Sequence, residues 1–156
     1  MNNKKYIVSA EEIAGFRADM KTHLLNPNAI RLDKSLGDMV GLRNLGFHVI
    51  EVQPGKESTE YHKHYEEEEC AYVLAGEAKV TIGEEEYRVK AGDFIGYPAN
   101  DLPHTMVNDG KEILRCIVVG QRLPSGVSEY PRKGKRAYRY GGTRDLVQLS
   151  NVEKLK

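Results

Sequence analysis

The chain has 156 residues, enough to bury a core without disulfide staples, and its make-up, 40% hydrophobic and 29% charged, is that of an ordinary globular protein. No stretch approaches the ~20 consecutive apolar residues needed to cross a bilayer, and Met1 to Val8 holds no apolar run of signal-peptide length. A cytoplasmic protein is expected, with no membrane contact and with Cys70 and Cys116 as reduced thiols.

The formal net charge is zero but unevenly placed: residues 51–101 carry 13 acidic and 5 basic side chains, whereas residues 121–156 carry 9 basic and 3 acidic. The basic tail contains no recognisable nucleic-acid-binding module. It is therefore expected to lie against the acidic middle of its own or a neighbouring subunit, with no nucleic acid as partner.

In chain order, Ser9-Ala10-Glu11-Glu12 has the form of a capping box and predicts a short helix to about Met20. Residues 21–45 mix Asn, Pro, Gly and isolated leucines and read as a lead-in that wraps the domain. From Phe47 the texture changes. Phe47 to Val52 reads as a strand ended by Pro54-Gly55, and Cys70 to Leu74 as a strand ended by Ala75-Gly76. Ala78 to Ile82 and Tyr87 to Val89 form a predicted hairpin around Gly83-Glu84. Phe94 to Tyr97 lies between two turns, and Ile113 to Val119 is an apolar strand broken only by Arg115. Beyond Gly120 the chain turns polar and basic, with Gly141-Gly142 as a break and a short helix expected over Asp145 to Leu155. Many short strands with regular turn signals indicate an all-β sandwich or barrel. One domain accounts for the whole chain: a core over about 45–120, a lead-in over 1–44 and an extension over 121–156.

The chemistry-bearing pattern begins with His62-Lys63-His64. On a strand, residues i and i+2 share a face, so two imidazoles there can converge on one ion. Glu69 and Gly76 follow, then Gly92, Pro98, His104 and Asn108. This arrangement resembles the two motifs of the cupin superfamily. Gly55, His62, His64, Glu69 and Gly76 match the first motif, and Gly92, Pro98, His104 and Asn108 the second. The likeness covers about residues 45–120 and is nearest to small single-domain bacterial cupins, a group without one settled reaction.

The resemblance implies a double-stranded β-helix, or jelly roll, and one divalent transition metal (Zn, Fe, Mn or Ni) held by His62, His64, Glu69 and His104. It also implies pairing as a homodimer. Three neutral imidazoles and one carboxylate suit such an ion and leave positions open for substrate or water. Motif spacing selects Glu69 over Glu68. Glu69 lies an odd number of residues from His64, so a turn must separate them, yet Tyr65 to Glu68 contains no Gly, Pro or Asn to announce one. Asn100 replaces the usual motif glycine, and the loop to His104 is one residue longer than usual. Asn tolerates the left-handed backbone the turn needs. Asn108 is expected to hold backbone rather than ligate.

Among other residues, His48 reads as an ordinary strand histidine, His23 as surface, and Tyr72, Tyr97 and Met106 as wall or core. Arg115 either enters the barrel or pairs outside it. Two functions remain open. One is a metal-dependent enzyme acting on a small polar metabolite such as a carboxylate or sugar derivative, by dioxygenation, decarboxylation or sugar (phosphate) isomerisation. The alternative is a non-enzymatic sensor or binding module for a small ligand.

Overall fold

Period-two burial sets the strands. In the computed structural model, which describes residues 5–153 and Leu155, the central strand β10 (Leu114–Gln121) buries Leu114 and Cys116 and turns Arg115 outward. Its neighbours β3 (Leu45–Val52) and β5 (Glu69–Ala75) do the same with Ile50 and Val52, and with Ala71 and Val73. These three zip together antiparallel, and β1 (Asp19–His23), β2 (Asn26–Ser35) and β8 (Phe94–Tyr97) complete a six-stranded sheet in the order β1-β2-β3-β10-β5-β8. Facing it, β6 (Glu77–Ile82), β7 (Glu85–Lys90) and β9 (His104–Val107) form a three-stranded sheet that contributes Ala78, Val80 and Met106 to one shared core. A third sheet runs β13 (Thr143–Gln148), β12 (Lys135–Tyr140), β11 (Gly126–Tyr130), β4 (Lys63–His64). Among the described residues, α-helix is reduced to α1 (Ala10–Gly15) and α2 (Leu36–Met39). The architecture is the expected all-β jelly roll, in antiparallel sheets. Each fully buried Val or Leu in the core contributes roughly 1.5–3 kcal/mol.

Three regions differ from the sequence reading. α1 has its capping box, but it ends at Gly15 instead of Met20; it buries no residue, so no apolar packing extends it, and Lys34 Nζ takes the carbonyls of Ile13 and Ala14 at its end. Residues of the lead-in form the β1–β2 hairpin, and β2 pairs with β3 from Leu32↔Glu51 to Ser35↔His48. The expected last helix is absent among the described residues: β13 pairs with β12 along its whole length, followed by a 3-10 turn over Leu149–Asn151. Gly141 and Gly142, both at positive φ, turn the chain back as a hairpin instead of merely interrupting it.

Other expectations hold. Asn100 sits at φ 56 and serves its turn. Gly76 sits at φ +80, and a Cβ there would come 2.8 Å from the carbonyl oxygen of Ile113. Asn108 is fully buried; its amide donates to the carbonyls of Val52 and Glu112, and its oxygen accepts from the N–H of Gly110. Arg115 faces outward, 2.7 Å from Glu51. Cys70 and Cys116 are free thiols: they lie on adjacent strands, but Cys70 opposes Val119 and Cys116 opposes Val73. The tail rests on the acidic middle of its own chain, through Arg139 on Glu67 and Lys133 on Glu60.

Candidate metal centre

The site is assembled by backbone pairing. His62 and His104 form an isolated antiparallel bridge: the N–H of His62 donates to the His104 carbonyl at 3.0 Å, and the reverse bond is 2.7 Å. Their rings therefore stand side by side, with centroids 4.7 Å apart. His64, two residues on, returns to the same face, its ring 4.8 Å from that of His62. Glu69 arrives from β5 on the inward parity shared with Ala71 and Val73. The change of parity between His64 and Glu69 is made by hydrogen bonds from other segments. Asn100 N–H donates to the His64 carbonyl at 2.8 Å, Tyr65 N–H to the Val127 carbonyl at 2.9 Å, and Glu68 N–H to Gln121 Oε1 at 3.0 Å. No glycine is needed, so none marks the turn in the sequence.

Ligand atoms of His62, Glu69 and His104 lie within 4.8 Å of one another. His62 Nε2 and His64 Nε2 are 3.1 Å apart, and His104 Nε2 is 3.8 Å from Glu69 Oε1. Two donors on one ion at ~2.1 Å are ~3.0 Å apart when adjacent and ~4.2 Å when opposite, so both separations suit a shared ion. A hydrogen bond sets the tautomer of His62. His62 Nδ1 faces the Glu60 carbonyl at 2.8 Å, which can only accept, so Nδ1 carries the proton and Nε2 offers a lone pair to the cluster. His64 Nδ1 lies 3.0 Å from Ser128 Oγ. His104 is 4% exposed, and neither ring nitrogen has a hydrogen-bond partner among the described residues. Tyr97 stacks flat on that ring, with centroids 3.6 Å apart.

Burial pushes the His62 imidazole down to about 3, helped by the neighbouring His104, so it is neutral at neutral pH. His64 is lowered as well, again by burial first. Burial alone pushes Glu69 up, but the surrounding imidazoles, His104 foremost, outweigh it and hold the carboxyl below its ordinary range. Neutral imidazoles around an ionised carboxylate are the protonation states in which these groups ligate. Glu67, also buried, is committed elsewhere: it accepts from the N–H of Leu123 at 2.9 Å and pairs with Arg139.

The cluster opens into a cavity of about 310 Å³. His48, read as an ordinary strand histidine, lines it, with Nδ1 2.7 Å from Oδ1 of Asp33, a carboxylate only 2% exposed. His23, expected at the surface, is half-buried against Tyr130 and lines the cavity too. Tyr72, expected as wall or core, faces outward instead. Sequence reasoning also missed Arg31, Arg122, Arg139 and Arg144 in the cavity wall. For His48 a signal existed: it shares the parity of Ile50 and Val52. For Arg31, Arg139 and Arg144 none did, because their strands were not recognised; Arg122 follows the recognised strand β10, and nothing in the sequence turns it toward the cavity.

The sequence profile of the cupin domain matches residues 48–120. The crystal structure of a "putative sugar phosphate isomerase" from Acidithiobacillus ferrooxidans is 46% identical, covers 96% of each chain and superposes with a TM-score of 0.94. The chain belongs to the cupin superfamily. A sugar phosphate isomerase of the cupin superfamily from Silicibacter pomeroyi shares the fold at 22% identity, with a TM-score of 0.83 over 96% of this chain and 97% of its own. An uncharacterised protein of Methanocaldococcus jannaschii is 36% identical over 66 residues, or 42% of this chain; the match spans about half, 52%, of that protein's length. In this cupin, β1, β2, β11, β12 and β13 all fall outside the profile match, and they or the loops beside them carry every arginine of the cavity.

Proposed function

We propose that this cupin holds one divalent transition metal through His62, His64, Glu69 and His104 and acts on a small polar metabolite as a sugar-type isomerase. The observation that carries the metal is His104. Among the described residues its two buried ring nitrogens lack hydrogen-bond partners, while its Nε2 lies 3.8 Å from Glu69 Oε1 and its ligand atoms cluster with those of His62 and Glu69. A buried polar group without a partner is costly, and an ion on Nε2, the nitrogen that faces Glu69, removes that cost there. When bound, the metal supplies Lewis acidity toward a substrate carbonyl or hydroxyl.

The isomerase reading draws on the name of the Acidithiobacillus ferrooxidans relative and on the cavity wall. Such a reaction takes a proton from one carbon and returns it to the next, with no net change. His48 is the wall group suited to carry it. Asp33 fixes its Nδ1–H and leaves Nε2 as acceptor, 3.4 Å from Arg122 Nη2. A non-enzymatic sensor would share the metal and the cavity but show no turnover.

Elemental analysis of dialysed wild type beside His62→Ala and His104→Ala tests the metal. About one ion per wild-type chain and little in either variant is the expected result; equal content in all three overturns the assignment. Conversion of a sugar phosphate by the loaded wild type, lost in His48→Gln with metal retained, separates enzyme from sensor.

We further propose that two copies pair through the outer face of the six-stranded sheet. Val49, Ile117, Tyr72 and Phe94 form one apolar row across four adjacent strands there, with Phe94 67% exposed. Pairing two such faces buries them without any other partner.

A further inference from the structure

The cavity arginines are not equivalent. Arg122 is neutralised by Asp38, with Nη2 3.3 Å from Oδ2 and a closer contact through Nη1. Arg139 is neutralised by Glu67. Arg144 donates to the hydroxyl of Tyr130 at 3.2 Å, and no carboxylate lies within ion-pair distance of it among the described residues. Yet it stands directly opposite Arg139 in the β12–β13 register, a placement of like charges that costs stability. Arg31 shares a single carboxylate: Asp33 lies 3.5 Å from Arg31 Nε, 3.5 Å from Lys21 Nζ and 2.7 Å from His48. Arg31 Nη1 donates to the Ser58 carbonyl at 2.5 Å, while its Nε is buried without a hydrogen bond.

Both guanidiniums line the same two cavities as Tyr130, and Arg144 touches its hydroxyl. The tyrosine is 4% exposed; its ring stacks over His62 with centroids 6.2 Å apart and packs against His23 at 5.3 Å. The second cavity, of about 280 Å³, is lined by the same His23, Arg31, Tyr130 and Arg144, so the cluster forms a wall common to both spaces. The local field is positive: His23 is lowered by burial first, then by Arg144, Arg31 and Lys133. Lys133 is 3.7 Å from the buried Glu60.

We propose that Arg31, Arg144 and the Tyr130 hydroxyl form a phosphate subsite, so that the ligand is a small phosphate monoester whose opposite end reaches the histidine cluster. Forked guanidinium donors suit the oxygens of a tetrahedral dianion, and Tyr130 links the subsite to the metal centre through its contact with His62. The inference rests on reading the cavity as the substrate site, but it does not require the ion.

Calorimetric titration with inorganic phosphate tests it on metal-loaded wild type, Arg144→Gln, Arg144→Lys and His104→Ala. Saturable binding to wild type is expected, weakened at least about tenfold in Arg144→Gln, in keeping with the loss of one charge-assisted contact. Metal content should be unchanged in that variant, binding partly restored in Arg144→Lys and retained in His104→Ala. Should Arg144→Gln fail to fold, Arg31→Gln is read for the same weakening. Wild-type affinity in the arginine variant, equal affinity for acetate, or loss of phosphate binding in His104→Ala overturns the subsite, the last because phosphate would then sit on the ion. Absence of metal with phosphate binding intact overturns only the metal assignment.

Discussion

His62 and Asn108 show how much single buried polar groups are asked to do. His62 is neutral in the folded chain, with its pKa pushed down to about 3, whereas the unfolded chain takes up a proton near ~6.5. The sign follows from linkage: below ~6.5 the unfolded state binds the extra proton, so the stability His62 confers is complete above that pH and is lost as pH falls toward about 3. Urea midpoints of metal-free protein should therefore fall between pH 6.5 and 4, and His62→Gln should flatten that slope. With metal bound, the same proton competes with the ion, and dialysis at decreasing pH should release it. Asn108 makes a different kind of contribution, tying the end of β3 to the loop before β10 through three backbone partners. Asn108→Ala leaves those groups buried and unpaired, and a loss of about 3 kcal/mol in urea unfolding is expected, with no change in metal stoichiometry.

Among the elements, β4 is only two residues long, yet it joins the third sheet to the site through Ser128↔His64 and Glu129↔Lys63. His64→Ala should lower metal affinity and, in the loaded protein, the melting temperature together, because the ion cross-links strands distant in sequence. A fall in one without the other would separate ligation from packing. The elements also show what a single sequence discloses. β3, β5, β8 and β10 were legible because apolar runs or alternation lie between clear Gly and Pro punctuation. His62, His64 and His104 were legible because only five histidines exist and three fall in motif register. β1, β12 and β13 were not: Arg136, Arg139, Arg144 and Asp145 break the apolar pattern, and the pairing that makes them strands is long-range. The turn before Glu69 was illegible for the same reason, since its hydrogen bonds come from residues 100, 121 and 127.

At the scale of the whole molecule, the zero net charge conceals an internal neutralisation. The basic tail covers the acidic middle through Arg139–Glu67 and Lys133–Glu60, and Arg136 pairs with Glu129 beside Tyr65. An apolar surface remains on the outer face of the large sheet, where Phe94 and Tyr72 stand opposite each other. Sedimentation at micromolar concentration should show a dimer for wild type and a monomer for Phe94→Glu, with metal content equal in both; a wild-type monomer would exclude pairing. Among the described residues no helix is long and apolar enough to cross a membrane.

The division of labour along the chain has an evolutionary corollary. The histidine cluster sits on strands inside the motif-bearing barrel, whereas Arg31, Tyr130, Arg139 and Arg144 belong to segments before and after it. Substitutions at Arg31, Arg139 or Arg144 can redraw what the cavity admits without replacing a metal-ligand candidate, whereas Ser128 and Tyr130 touch His64 and His62 directly. Chimaeras that carry this barrel between the termini of another small cupin would keep the four ligand candidates but exchange, in one step, the strand beside β4, the hydroxyl beside His64 and the cavity's selectivity.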